Sequence, residues 1–256
     1  MAGDYLLQNR KQLVPEDVEE KAKNSFVTYI DKGAEEIIIK HIKSHFHDHS
    51  ILAEESGVQA ENCPIQWIID PLDGTTNFIH DIPFYCVSIA VRDKDKTIVG
   101  VVFDPVRNEM FTSAETKGSF LNDSPITINS PKEFSKEIMA TGFPHRAKRY
   151  LPFYLAAFQE IILKCSGVRR CGAAALDLCY TACGRYGGFW ELGLSPWDMA
   201  AGSLIVKEAG GVISDFWGEN NYLDNGFVIA ANKQIQKPLL QILSYHFKSF
   251  KTEYDL

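Results

Sequence analysis

The pattern of hydrophobic and polar positions changes near Ser130-Pro131 and predicts a different architecture on each side of that point. Before it, short apolar runs alternate with polar turns, which is typical of antiparallel strands that follow one another as a meander. These runs are residues 84–91, 97–103, 108–113, 118–123 and 125–128, with a hairpin turn predicted at Asn122-Asp123. Beyond it, apolar stretches alternate between strand length and helix length, which indicates an α/β arrangement. They are the strands 138–141, 167–170 and 188–191 and the helices at about 150–164, about 173–183 and after Pro196.

The N-terminal part of the chain mixes helical and extended patterns. Residues 1–10 predict a short helix, and the polar segment that follows, through Asn24, predicts a loop. Residues 25–28 are β-prone. Asp31 then precedes apolar residues at helical spacing, so it is predicted as the N-cap of a helix that packs on a core.

The stretch 67–80, WIIDPLDGTTNFIH, carries the strongest chemical signal in the chain. Its apolar start predicts a buried strand that ends on Asp70, with Pro71 stopping the strand and Asp73 supplying a second carboxylate. The GTTN segment predicts a tight turn into a helix, which presents free backbone N–H groups to an anion such as phosphate. Because carboxylate oxygens suit hard divalent cations, the stretch predicts a place where metal and phosphate are held together.

Two further acidic positions have an ordinary structural explanation when each is taken alone. Glu54-Glu55 follow a predicted strand at 50–53 and would form a solvated turn, although they lie close in sequence to the Asp70 stretch. Asp198 falls in the first turn of an almost wholly apolar helix, where the helix dipole stabilises a carboxylate. The pattern by itself leaves a structural and a functional interpretation open for both positions.

The composition excludes several classes of protein. With 256 residues and 45% hydrophobic content, the chain can bury a large core. A formal net charge of −7 without a clustered basic face argues against direct binding to nucleic acid or to an anionic membrane. No apolar run approaches membrane-spanning length and no signal-peptide pattern stands at the start, so we expect a cytoplasmic protein.

Histidine and cysteine spacings predict no second metal site. His41 and His45 stand one helical turn apart, but no third ligand accompanies them, which favours a solvated helix end. The six cysteines lack the paired spacing of a zinc or redox motif and are expected to be reduced thiols that pack in apolar segments. Cys179 and Cys183, one turn apart, are included in that expectation.

Three motifs occur in the chain in a specific order: AEES at 53–56, WIIDPLDGTTNF at 67–78 and PWDMAAGSLIVKEAGG at 196–211. Together they resemble the inositol monophosphatase family, which are magnesium-dependent, lithium-sensitive sugar phosphatases. RRCGAAALDL at 169–178 and GFWE at 188–191 are similar to bacterial members, and the likeness covers nearly the whole chain. The resemblance implies an α/β fold with α+β character in its first half, a layered α-β-α-β-α sandwich of the sugar phosphatase type. It also implies a homodimer.

The resemblance implies a single domain over residues 1–256. Its first half, about 1–130, would hold the metal and phosphate site, and its second half, about 131–256, would supply residues on the substrate side. The active site would bind two or three Mg²⁺ ions. Their implied ligands are the carboxylates of Glu54, Asp70, Asp73 and Asp198 and the backbone carbonyl of Leu72.

The catalytic residues that the resemblance implies are Asp31, Thr75 and Glu55. The Thr75 hydroxyl, hydrogen-bonded to Asp31, would help deprotonate the attacking water, and Glu55 would be a further carboxylate near the ions. Gly74 and Thr75 would donate backbone N–H groups to the phosphate. In-line attack of water on phosphorus needs no covalent phosphoenzyme. The implied substrate contacts are Asp73, Ala174, Glu191 and Asp198.

The implied substrate is a small sugar or inositol phosphate, with inositol monophosphate leading because Glu191 matches the inositol-contacting position. Related members hydrolyse fructose 1,6-bisphosphate, a nucleotide 3′-phosphate or histidinol phosphate instead. A bacterial relative also acts as a partner of the transcription machinery. The chain departs from the family at its start, which resembles only the end of a longer first helix, and at Ser25, where an acidic residue is usual. We therefore expect a shortened N-terminus and a weaker last metal site.

Overall fold

The computed structural model describes residues 1–13, 15–22, 25–59, 63–128, 133–145 and 147–253. Within these ranges the chain forms fifteen strands and eight α-helices. The strands are β1 (Val18–Ala22), β2 (Ser25–Thr28), β3 (Ser50–Ala53), β4 (Gly57–Gln59), β5 (Ile65–Asp73), β6 (Cys86–Asp93), β7 (Lys96–Asp104), β8 (Glu109–Ala114), β9 (Gly118–Leu121), β10 (Ser124–Ile126), β11 (Ile138–Thr141), β12 (Gly167–Arg169), β13 (Gly188–Leu192), β14 (Val212–Ser214) and β15 (Phe227–Ala231). The helices are α1 (Ala2–Asn9), α2 (Tyr29–His45), α3 (Thr75–Ile79), α4 (Leu151–Ile162), α5 (Ala174–Ala182), α6 (Pro196–Glu208), α7 (Tyr222–Asn225) and α8 (Lys233–His246).

The larger sheet has eight strands in the order β10-β9-β8-β7-β6-β5-β3-β4. From β5 to β10 each strand is antiparallel to the next, so the predicted meander is confirmed. The turn between β9 and β10 runs through Asn122 and Asp123, whose φ angles are 46° and 62°. Positive φ at both central positions is what the favoured two-residue hairpin turn requires. β3 pairs with β5 in parallel, which matters for the site described below.

The smaller sheet has five strands in the order β12-β11-β13-β15-β14. β12, β11 and β13 are parallel, and the helices α4 and α5 connect them in sequence, as the alternating pattern predicts. β15 is antiparallel to both β13 and β14.

Helices and sheets alternate in five layers. α1 and α2 pack on one face of the larger sheet, α5 and α6 lie between the two sheets, and α4 and α8 cover the other face of the smaller sheet. A helix between two sheets must be apolar all round, which explains why every residue of α5 is buried. In α6 the run from Met199 to Val206 is buried in the same way. The predicted layered α/β sandwich is confirmed.

Helix α2 begins earlier than predicted, and the prediction of Asp31 as its N-cap is wrong. Thr28, at the end of β2, has extended backbone angles, and its hydroxyl accepts a hydrogen bond from the N–H of Ile30 at 3.1 Å. Asp31 is the third helical residue, and its Oδ2 accepts from the backbone N–H of Thr28 at 2.8 Å. The two side chains form a capping box, so Thr28 caps the helix and Asp31 supports the cap.

Strand β5 continues through Pro71 to Asp73, so the prediction that Pro71 stops the strand is wrong. The pairing with β6 is irregular between Asp70 and Asp73, and a proline is tolerated at such a bulge because no ladder hydrogen bond is required there. In a regular strand, residues three apart point to opposite faces. The irregularity therefore allows both carboxylates to reach the same side of the sheet.

Two short strands form where turns or loops are predicted. β1 pairs with β2 as an antiparallel ribbon, and β4 pairs with β3 at the edge of the larger sheet. The loop prediction for residues after Arg10 is therefore wrong for β1, because its polar sequence carries no period-two apolar signal. The predicted division near residue 130 lies outside the described residues. In the described part of the chain, no helix is long and apolar enough to cross a bilayer.

Candidate active site

The parallel strands β3 and β5 run side by side and place carboxylates at one edge of the larger sheet. Ala53 pairs with Ile69, and the backbone N–H of Glu54 donates to the carbonyl of Ile69 at 3.1 Å. Glu54 follows the end of β3 and therefore lies beside Asp70, where the pairing of β5 with β6 becomes irregular.

Four of the carboxylates that line one cavity lie together and form what we call the pocket floor: Glu54, Asp70, Asp73 and Asp198. Carboxylate oxygens of Asp70, Asp73 and Asp198 all lie within 4.8 Å of one another. Burial raises the pKa of Asp70 well above its usual range, and the charges of Glu54, Asp73 and Asp198 raise it further. Burial, followed by the charge of Asp198, raises the pKa of Asp73 to about 8. A set of crowded oxygen donors that repel one another fits a hard divalent cation, which would neutralise them.

Backbone N–H groups orient the two carboxylates that β5 supplies. Asp70 Oδ1 accepts from the N–H of Leu72 at 3.0 Å. Asp73 Oδ2 accepts from the N–H of Ala175, at the start of α5, at 2.8 Å. Asp73 therefore connects the larger sheet to the helices between the sheets.

Asp198 reaches the floor from the first turn of α6. Its Oδ2 accepts from the backbone N–H of Ser195 at 2.7 Å, in a second capping box. Helix stabilisation, which the sequence offers as an alternative to a functional role, is therefore present at the same residue. The contact fixes the carboxylate, and Asp198 lines the cavity.

A tight turn joins β5 to α3 beside the floor. Gly74 has a φ of +94°, and a Cβ there would lie 3.0 Å from the carbonyl oxygen of Phe84. Thr75 begins the helix, where the first N–H groups have no partner within the helix. The Thr75 hydroxyl lies 3.1 Å from both Asp31 Oδ1 and the carbonyl oxygen of Leu72, to either of which it can donate. Burial raises the pKa of Asp31, although the hydrogen bonds from Thr28 and Thr75 oppose that shift.

The cavity has a volume of about 370 Å³ and extends from the floor to residues of the second half of the chain. Four of these form what we call the pocket rim: Phe143, His145, Arg170 and Glu191. The carboxylate of Glu191 lies so close to the backbone of Gly142 that a Cβ at that position would overlap it. Glycine at 142 thus leaves room for this acidic side chain.

The structure brings most of the predicted site residues into this one cavity. Those that line it are Glu54, Asp70, Leu72, Asp73, Gly74, Thr75, Ala174, Glu191 and Asp198. Asp31 does not line the cavity and reaches it through the Thr75 hydroxyl. Their assigned roles stay predictions.

Glu55 lies outside the cavity lining. Its backbone N–H donates to Glu35 Oε2 at 2.9 Å, and the next N–H, of Ser56, donates to Glu35 Oε1 at 2.9 Å. Glu35 therefore fixes the turn that carries Glu54 and Glu55, a function that sequence reasoning missed. Its position four residues after Asp31, on the buried face of α2, is the signal that could have revealed it.

Sequence reasoning also missed the rim residues other than Glu191. Phe143 and His145 follow β11 in a segment without periodic pattern. Arg170 belongs to the RRCGAAALDL motif, but nothing in that motif indicates which side chain faces the cavity. These residues are brought to the site by tertiary structure alone.

Buried carboxylates at strand ends, beside a turn with unpaired N–H groups, form the kind of site that metal-dependent phosphatases use. A model of the inositol monophosphatase family matches residues 1–246. The chain belongs to the inositol monophosphatase family, which confirms the resemblance stated from the motifs.

Relatives and solved structures agree with this assignment. The chain is 45% identical over 240 residues to the Nus factor SuhB of Escherichia coli strain K12, covering 93% of this chain and 90% of the relative. It is similar to the extragenic suppressor protein suhB from Bartonella henselae, with a TM-score of 0.90, 38% identity and coverage of 94% and 93%. The inositol monophosphatase from Anabaena (Nostoc) sp. PCC 7120 gives a TM-score of 0.85 at 37% identity, with coverage of 95% and 91%.

Proposed function

We propose that this protein is a magnesium-dependent phosphomonoester hydrolase that acts on inositol monophosphate. The observation that carries the proposal is the clustering of Asp70, Asp73 and Asp198 within 4.8 Å, next to the turn at Gly74. Such a cluster repels itself unless cations bind, and the turn offers N–H donors to an anion. Both halves of a metal and phosphate site are therefore adjacent.

The pocket floor would hold two or three Mg²⁺ ions through its carboxylates, with the carbonyl oxygen of Leu72 as a further ligand. That carbonyl can accept from Thr75 and still offer a second lone pair. When bound, the ions would stabilise the charge on the attacking and leaving oxygens of the phosphate ester.

The chain's own residues would orient the phosphate and accept a proton. The N–H groups of Gly74 and Thr75 would donate to phosphate oxygens. As water attacks phosphorus in line with the ester oxygen, Thr75 Oγ1 would take its proton and pass its own to Asp31 Oδ1, 3.1 Å away. The new P–O bond forms as the ester bond breaks, and the departing alkoxide takes a proton from solvent. No group of the protein becomes phosphorylated.

Four groups would contact the polyol. Glu191 can accept from two neighbouring hydroxyls, and the side chains of Asp73 and Asp198 line the same cavity. The backbone N–H groups of Ala174 and Ala175 both donate to the carboxylate of Asp73, so the start of α5 lies next to the pocket floor. This set favours a substrate rich in hydroxyl groups.

We propose a second candidate function, binding to the transcription machinery by a cytoplasmic homodimer. The similarity to proteins named Nus factor SuhB supports the binding role. Pull-down with wild type and Asp70→Asn would test whether such binding depends on the active site. Loss of partners together with activity would contradict an independent binding surface.

The deciding experiment is phosphate release from four substrates: inositol 1-phosphate, fructose 1,6-bisphosphate, adenosine 3′,5′-bisphosphate and histidinol phosphate. Each is assayed with Mg²⁺, with chelator and with added Li⁺. We expect release that needs Mg²⁺, is inhibited by Li⁺ and is fastest for inositol 1-phosphate. If another compound is hydrolysed fastest, inositol monophosphate is not the preferred substrate. If folded protein releases no phosphate from any of the four, the hydrolase proposal is contradicted.

A further inference from the structure

The cavity is acidic except at Arg170. Five carboxylates line it, those of the floor and that of Glu191, whereas Arg170 is the one described lining residue with a permanent positive charge. Its guanidinium carbon lies 5.6 Å from the centroid of the Phe143 ring, in cation–π geometry. The charge is therefore held against an aromatic wall of the same cavity.

Local structure keeps Arg170 in that position. The side-chain amide of Asn77, which is buried, donates to the carbonyl of Cys171 at 2.9 Å and fixes the turn after Arg170. Gly172 has a φ of +92°, and a Cβ there would lie 2.6 Å from Arg170 Nη1. Glycine is thus needed for the guanidinium to lie over the turn.

The aromatic wall is itself anchored. The Phe143 ring meets Tyr154 edge-on at 5.9 Å, and the Tyr154 hydroxyl lies at hydrogen-bond distance, 2.9 Å, from the Thr141 hydroxyl. Phe143 is 38% exposed, so its other side remains open. The surface that supports Arg170 is rigid on the protein side and accessible on the cavity side.

No ion pair occupies the guanidinium within the described ranges, since no carboxylate oxygen there lies within 4.0 Å of it. His145 lies beside it, and burial, with the charges of Arg170 and Lys148, lowers the pKa of His145. Both side chains line the cavity. The guanidinium is a planar fork of donors that has no carboxylate partner among the described residues. Because it lies in the cavity where the substrate would bind, it suits an anionic group of that substrate.

We propose that Arg170, supported by Phe143 and with His145 beside it, binds a second anionic group of the substrate. A phosphomonoester that carries a further phosphate or carboxylate, away from the ester that is cleaved, would then have a lower KM than the same kind of ester without that group. The inference rests on the proposed hydrolase function, because it assumes that the ester phosphate occupies the floor. A cavity of about 370 Å³ is large enough for a sugar with a group at each end.

An alternative role for Arg170 is to offset the negative charge of the cavity in general. In that case, replacing Arg170 would weaken the binding of every substrate by the same factor. A second-anion site predicts instead a loss confined to substrates that carry the second anion, and this difference decides between the two.

The test compares two substrate pairs in which one member has an extra anion. Fructose 1-phosphate is paired with fructose 1,6-bisphosphate, and glucose 6-phosphate with 6-phosphogluconate. For Arg170→Gln we expect KM of a doubly anionic substrate to rise about 10- to 100-fold, with kcat unchanged and the singly anionic partner within about twofold. The pair that responds identifies the group as phosphate or carboxylate.

Arg169→Gln is the matched control, because Arg169 is exposed, does not line the cavity and directs Nη1 to the carbonyl of Val168 at 3.1 Å. It should leave all four substrates unchanged. Equal losses for both members of each pair in Arg170→Gln, or no loss for either, would overturn the second-anion site.

A calorimetric arm separates failure of this inference from failure of the hydrolase proposal. If no substrate is hydrolysed, the same pairs are titrated into wild type and Arg170→Gln with Mg²⁺ present. One outcome is that wild type binds the doubly anionic member of a pair more tightly than the singly anionic one, and that this difference is lost in Arg170→Gln. That result would support the second-anion site even though the hydrolase proposal is contradicted. Equal binding of both members would overturn the site as well.

Discussion

The pocket floor and the pocket rim are built in different ways, although they line the same cavity. At the floor, Asp70 and Asp73 are 1% and 8% exposed, and each accepts a hydrogen bond from a backbone N–H. At the rim, Arg170 is exposed and Phe143 is 38% exposed, and both are supported by ring contacts and a turn. The floor is fixed by the sheet and helices of the fold. At the rim, Glu191 lies in β13, whereas Phe143, His145 and Arg170 lie in loops between elements.

This difference suggests a division of labour. Groups that meet the phosphate and its metals act on every substrate alike, so changes at the floor should lower kcat for all of them. Groups that meet the remainder of the molecule should change KM for some substrates only. Substitutions at the floor and at the rim would test that division.

Asp73→Asn should reduce kcat/KM by about 10³-fold or more for every substrate, because losing one ligand forfeits several kcal/mol of metal-assisted stabilisation. The amide oxygen can still accept from Ala175, so circular dichroism should show an intact fold. Asp95→Asn, at an exposed position, is the control and should keep full activity. Turnover at the wild-type rate in Asp73→Asn would remove Asp73 from the metal cluster.

Thr75→Val should lower kcat by about 10²-fold or more and leave KM nearly unchanged, because it removes the hydroxyl that lies 3.1 Å from Asp31. Thr75→Ser keeps that hydroxyl and should recover most of the activity. Steady-state kinetics on two substrates would measure both variants. A fully active valine variant would show that the water loses its proton by another route.

Glu191→Gln should raise KM for inositol 1-phosphate about tenfold, since a charged acceptor of two hydroxyls becomes a neutral amide. Phenyl phosphate has no hydroxyls to offer, so its KM should stay the same in wild type and variant. An equal change in KM for both substrates would show that Glu191 acts on every substrate alike, as the floor residues are expected to do. It would contradict the proposed difference between floor and rim.

Metal-free protein should lose stability as pH rises from about 4 to about 8. Asp73 has a folded-state pKa of about 8, raised by burial, so in this window the folded state binds more protons than the unfolded state. Melting temperatures in chelator should therefore fall by a few degrees across the window, and Mg²⁺ should reverse the loss. Asp73→Asn should flatten the profile, and an unchanged wild-type profile would contradict the repulsion at the floor.

Part of the floor could be predicted from the local pattern, because Asp70 and Asp73 follow a short apolar run in β5. For Glu54 and Asp198 the pattern left a structural interpretation open, and the resemblance of three motifs to one family joined them to the site. The meander was equally accessible, since its strands alternate with turns such as Asn122-Asp123.

The failures have physical causes that a local pattern does not contain. Pro71 continues β5 because the pairing with β6 is irregular there, and Asp31 is not the N-cap because Thr28 arrives in an extended conformation. β1 exists only through its pairing with β2. Phe143 and Arg170 of the rim were missed for the same reason, because they meet through contacts between distant parts of the chain.

The hydrogen bond between the Ala175 N–H and Asp73 joins residues 102 positions apart in the sequence. On the ribosome, β5 is synthesised well before α5 and α6, so the carboxylates of β5 exist before the backbone donor that orients Asp73 and before Asp198. The floor can only be completed once the chain has emerged and folded as far as α6. In the proposed hydrolase, metal affinity would therefore report that this part has folded, and a chain released before α6 would carry the acidic strand without Asp198.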